Sequence, residues 1–117
     1  MPELVFYDGV GRAVAYTEDG VHIFGFSGAP LAYIDGDSVY AFSGAHLGWY
    51  AGGWIRDHAG ACVYFTEGAL GGPVRPVTKV NPIKRIQRIL PIKAVQRIKP
   101  IRHVDKLTWS SILQFDE

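Results

Sequence analysis

The chain has a single cysteine, Cys62, so no internal disulfide can staple it. It has no run near the ~20 apolar residues that a membrane helix needs. Its start, MPELVFYDGVGR, has no basic segment followed by an apolar core, which argues against a secretory leader. Together these features make the cytoplasm the expected compartment. Helix-favouring Glu and Leu are sparse, whereas Gly (14) and Tyr (6) are plentiful, pointing to strands and turns. The charge is divided. Residues 1–72 carry two basic against eight acidic side chains, a net −6, and residues 73–117 carry ten against three, a net +7. Such a split suits a nucleic-acid or anionic-surface binder, and equally a tail that binds its own head.

Aligning the first part on glycine exposes four copies of one unit: GRAVAY (11–16), GAPLAY (28–33), GAHLGW (44–49) and GACVYF (60–65). Gly28, Gly44 and Gly60 are 16 apart, as are Gly20, Gly36, Gly52 and Gly68. Five residues before each leading glycine stands Phe6, Ile23, Val39 or Ile55. Each unit reads strand, glycine turn, strand, glycine turn, with Asp19-Gly20, Asp35-Gly36 and Gly52-Gly53 supplying tight hairpin turns. A lone hairpin cannot bury its apolar face, so four of them pack around a common axis. Equivalent positions then form rings: Val14, Leu31, Leu47 and Val63, and next to it Tyr16, Tyr33, Trp49 and Phe65. At a spacing of two both rings fall on one strand face and read as core.

These units, above all FSGAHLGW followed by GGWIRDHAG, together with GGPVRPVTKVNPIK and LTWSS further on, resemble the bacterial domain known as the 4-fold beta flower. The resemblance spans nearly the whole chain. It implies a mainly β fold with internal four-fold pseudosymmetry and a C-terminal run of Pro-Val-Lys type triplets, and it implies no activity. The tail departs from the simplest triplets by carrying residues such as Arg or Ala at many proline positions.

In that tail every third residue is aliphatic: Val74, Val77, Val80, Ile83, Ile86, Ile89, Ile92, Val95, Ile98, Ile101, Val104 and Leu107. Pro73, Pro76, Pro82, Pro91 and Pro100 each precede one of them. A longer period of nine is superimposed: PVRPVTKVN, PIKRIQRIL, PIKAVQRIK, PIRHVDKLT. An α-helix would scatter a period of three around its axis, and interior prolines would cost it ~3 kcal/mol each. A strand would alternate the aliphatics between faces. Polyproline II has three residues per turn, accepts proline, and sets all twelve on one edge. A disordered linker has no reason to keep twelve aliphatics in strict register, so this edge is expected to dock. Nine residues of polyproline II span ~28 Å, about the diameter of a compact head of ~70 residues. The tail is therefore expected either to run around the head, one nine-residue unit per hairpin with basic edges against the acidic head, or to project and pair with other chains in a homo-oligomer.

Tests for chemistry return structural readings. His22, His46, His58 and His103 lack metal-ligand spacing, so no metal is expected. Cys62 with His46 or His58 is the one nucleophile–base combination, yet Cys62 takes the repeat position of Ala13, Pro30 and His46. Asp35, Asp37 and Asp57 stand where turns use aspartate. No catalytic residues and no cofactor are expected. Where the copies differ, around Trp49, Trp54, Arg56, Asp57 and His58, a small-ligand site is the place to look.

The expected architecture is thus all-β: a head of four pseudo-repeated hairpins about a pseudo-four-fold axis (1–72), an extended segment of four nine-residue units (73–108) and a short end (109–117) returning to the core through Trp109, Ile112 and Phe115. The expected function is a non-catalytic structural or protein-interaction module, with self-assembly as one form of it. The alternative is nucleic-acid or anionic-surface binding by the basic tail. Phosphate binding alone gives the aliphatic register no purpose, and the tail has no stacking aromatic before Trp109.

Overall fold

The computed structural model describes residues 3–110. Eight short strands, β1 (Leu4–Tyr7), β2 (Ala13–Thr17), β3 (His22–Phe24), β4 (Pro30–Asp35), β5 (Ser38–Tyr40), β6 (His46–Ala51), β7 (Trp54–Arg56) and β8 (Cys62–Phe65), form a closed barrel in sequence order. Every pairing is antiparallel, and β1 meets β8 through Tyr7 and Phe65. No helix of the described residues is long and apolar enough to cross a membrane.

Each of the turns β1–β2, β3–β4, β5–β6 and β7–β8 is closed by the amide of its leading glycine, as in Gly28 N–H to Gly25 O (3.0 Å) and Gly44 N–H to Ala41 O (3.0 Å). Gly28 and Gly44 have φ of 95° and 94°, which side chains rarely adopt. A register shift follows in each hairpin and leaves one residue of the second strand unpaired. Those bulge residues are Val14, Leu31, Leu47 and Val63.

The bulges correct the reading of the two rings. The lumen is lined by the cross-strand pairs Phe6–Ala15, Ile23–Ala32, Val39–Gly48 and Ile55–Tyr64. Val63 is buried there and Val14, Leu31 and Leu47 pack on its margin. Tyr16, Tyr33, Trp49 and Phe65 are buried too, but outside the barrel wall. A bulge breaks the alternation of strand faces, so a spacing of two across it does not keep two side chains on one face. Outside, the aromatics gather between hairpins: Tyr16 with Phe24 and Phe26, Tyr33 with Tyr40 and Phe42, and Trp49 with His46 and His58. Tyr7, Trp54 and Phe65 form a fourth group.

Residues 73–108 contain no helix or strand and run across the outer surface of successive hairpins. Lys79 N–H bonds Gly11 O, Arg85 bonds Phe26 O and Arg88 bonds Gly28 O. Ala94 bonds Phe42 O, Arg97 bonds Gly44 O and Lys106 bonds Gly60 O. Since these acceptors lie on the four hairpins of a closed barrel in order, the tail passes around it.

Candidate interaction surface

The three registers of the tail have three different surroundings. In the register after the aliphatics, Asn81, Lys84, Gln87, Lys93, Gln96, Arg102 and Asp105 turn to the head. Lys84 lies 4.4 Å over the Tyr16 ring, and Lys93, nine residues on, lies 4.5 Å over Tyr33. Arg102, nine further, sits 5.9 Å over Trp49. Gln87 donates to Tyr16 Oη (3.2 Å) and Glu18 (3.1 Å), and Gln96 donates to Tyr33 Oη (3.2 Å) and Asp35 (2.9 Å). Lys84 also pairs with Glu3, whose hydrogen bond pushes its pKa up, and reaches Glu18. Arg102 reaches Asp37 at 3.7 Å.

The second register supplies backbone donors. All six N–H groups bonded to the head belong to it, and so do all five tail prolines, which have no N–H. Six of the seven non-proline residues of this register, all but His103, therefore stand where the head takes a donor, which accounts for most departures from simple proline triplets.

The third register is the aliphatic edge, and it corrects the docking expectation within this chain. Val74 through Val104 are 86–96% exposed and Leu107 is 69% exposed. The edge under the strictest sequence pattern faces away from the head. What touches the head is the backbone and the polar register, because aromatic rings, carboxylates and turn carbonyls line the outside of the barrel. The aliphatic carbonyl oxygens do come close: Val77 O, Ile86 O, Val95 O and Val104 O lie 2.1–2.3 Å from where a Cβ on Gly11, Gly28, Gly44 and Gly60 would sit. The leading glycines are thus required twice, by φ and by the passing tail.

Of the residues singled out as a ligand site, the structure draws three into a buckle. The belt begins and ends on the fourth hairpin, and Arg56 holds both ends. Its guanidinium donates to Gly60 O (2.8 Å), Lys106 O (2.6 Å) and Gly71 O (3.4 Å) and faces Asp105 at 3.5 Å. Arg56 takes the repeat position of Tyr7, Phe24 and Tyr40, so a fixed cation replaces a ring where the ends meet. Trp54 Nε1 donates to Leu70 O (2.9 Å), and Trp109 packs on Trp54 and Phe65. Asp57 caps its own turn at Ala59 and Ala61 N–H and accepts from Ser110 Oγ at 2.6 Å. Residues 108–110 add a parallel bridge to Cys62. Ile112 and Phe115, expected to join this return, lie outside the described residues.

Trp49 and His58 belong to a separate cluster. His46 Nδ1 is 3.0 Å from His58 Nε2, and His46 Nε2 is 3.2 Å from Ser38 Oγ. Burial, His58 and Lys99 hold His46 below the usual histidine pKa. Cys62 is fully buried beneath Lys106 O, and burial pushes its thiol pKa up despite Arg56, which is unfavourable to a nucleophile. Among the described residues no group of three metal-ligating side chains converges. An open cleft of about 540 Å³ at the β1–β8 seam is lined by Glu3, Tyr7, Tyr50, Thr66 and Glu67. Its Tyr7 hydroxyl is already bonded to Glu67 (3.3 Å) and Asn81 (3.1 Å), and burial and Glu67 push its pKa up.

The repeats, the closed barrel and the tail agree with one family description. The chain belongs to the 4-fold beta flower protein family, whose model matches residues 5–117. No curated protein and no solved structure matches it.

Proposed function

We propose that this protein is a non-catalytic structural or protein-interaction module: a barrel of pseudo-four-fold symmetry wearing a polyproline II belt, with the outward aliphatic edge as its working surface. The observation that carries this reading is the exposure of twelve aliphatic side chains in one register. Monomeric proteins rarely leave contiguous apolar patches beyond ~300–600 Å² uncovered. Three observations favour polyproline II: the separation into three registers with three surroundings, the absence of backbone–backbone hydrogen bonds within residues 73–108, and its length. Thirty-six residues at ~3.1 Å each give ~110 Å, about the circumference of a body 36 Å across. The hairpin-by-hairpin recurrence of turn, bulge, aromatic group and tail contact favours the pseudosymmetry. Self-assembly is one use of such an edge.

A second reading, binding of an anionic surface, is favoured by the tail cations. Besides Lys84, Lys93 and Arg102, seven of its ten have no carboxylate or ring partner among the described residues.

The test is to replace Ile83, Ile86 and Ile89 by Thr and to compare melting temperature and association state by light scattering. An unchanged melting temperature with weakened association supports the reading. A large loss of stability would place those side chains in the fold instead.

A further inference from the structure

The aliphatic edge needs a cover, and the charge around it restricts what that is. The register beside it presents Lys79, Arg85, Arg88, Arg97 and Lys106, whose amides bind the head while their side chains are exposed. The one tail carboxylate of the described residues, Asp105, is turned towards Arg56 and Arg102. Of the carboxylates beneath the tail, Glu3 and Glu18 are engaged by Lys84, Asp35 by Gln96 and Asp37 by Arg102. The outer face of the tail is therefore aliphatic and cationic without an anion. Two copies meeting edge to edge would bring like charges together. A cover that is both apolar and anionic meets both features.

We infer that the rim binds anionic lipid bilayers, with Val, Ile and Leu entering the headgroup–acyl boundary and the flanking Lys and Arg engaging the phosphates. This rests on the outward edge being the working surface. The aliphatics and cations alternate along one line with no aromatic, which suits a fluid leaflet better than a fixed protein pocket. One flank, Pro82–Leu90, offers Ile83, Ile86 and Ile89 with Arg85 and Arg88. The belt surrounds the barrel, and Arg88 and Lys106 bond the second and the fourth hairpin. Opposite flanks therefore face opposite directions, and one molecule joins two bilayers.

The experiment mixes the full chain with vesicles of phosphatidylcholine containing phosphatidylglycerol, and with pure phosphatidylcholine, following co-sedimentation and turbidity. Binding about thirtyfold tighter to the anionic vesicles is expected, from the two cations Arg85 and Arg88 of the one flank, together with vesicle clustering and loss of both at high salt. A variant with all twelve outward aliphatics replaced by Thr keeps its melting temperature and loses binding; Arg85→Gln/Arg88→Gln keeps the fold and binds more weakly. Equal binding by the Thr variant means adsorption by charge alone and overturns the proposal. Self-association of the wild-type chain with no vesicle binding overturns it too, while leaving the interaction reading intact. A chain that neither associates nor binds vesicles overturns both.

Discussion

Head and tail use apolar residues in opposite ways. In the barrel Phe6, Ile23, Val39 and Ile55 are fully buried, and acidic side chains lie outside. In the tail the polar register is inward and the aliphatics are in water. The head is held by side-chain packing. The tail is held by six of its own backbone N–H groups donating to the head, by cations over rings and by a buckle at Arg56 and Trp109. Regularity of an apolar pattern thus marks an edge, and only the surface it meets decides whether that edge is core.

The comparison breaks most completely if the belt is removed. Ending the chain after residue 72 should bare the Tyr16, Tyr33, Trp49 and Phe65 groups and leave a head that unfolds or aggregates; a truncated head with an unchanged melting temperature would show that it does not depend on the belt. Next in size is Gly28→Ala. A left-handed conformation costs ~1–2 kcal/mol for a side chain, and here the new Cβ also meets Ile86 O, so a loss of about 3 kcal/mol is expected in denaturant unfolding. Trp109→Ala should cost about 2 kcal/mol, below the ~3–5 of a fully buried tryptophan, because Trp109 is half-buried.

A finer contrast lies within one register. Arg85→Pro removes the donor to Phe26 O and leaves that carbonyl unpaired, at about 1–3 kcal/mol, whereas Pro91→Ala, where no donor is used, should change stability by less than about 1 kcal/mol. Equal effects would contradict the assignment of registers. The smallest effect is pH dependence. His46 is held below the usual 6.5, so the unfolded chain takes up the proton first. The contribution is complete above that value and is lost as pH falls through the folded-state pKa. His46→Gln should flatten this slope in melting temperature against pH.

Much of the fold was legible because glycine is unforgiving. The spacing of Gly28, Gly44 and Gly60 marked the hairpins, and Asp35-Gly36 marked a turn. The bulges were not legible, since the residue left unpaired, such as Leu47, looks like any strand aliphatic. The candidate site was legible only in part. Trp54, Arg56 and Asp57 stood out as departures from the repeat, but nothing local tells that Arg56 spans Gly71 and Lys106, 35 residues apart in sequence. The orientation of the tail was hidden for a related reason. Period three defines three edges without ranking them; the stacking partners Tyr16, Tyr33 and Trp49 choose the inner one. A signal was available in Lys84, Lys93 and Arg102, nine apart, each over the ring at one repeat position of three successive hairpins.

The most direct measurement is residue-resolved hydrogen exchange across 73–108. A belt held by its backbone predicts protected amides at Lys79, Arg85, Arg88, Ala94, Arg97 and Lys106, with fast exchange at the neighbouring Ile86, Ile89 and Ile98. Uniformly fast exchange along the tail, or protection centred on the aliphatic residues, would contradict it.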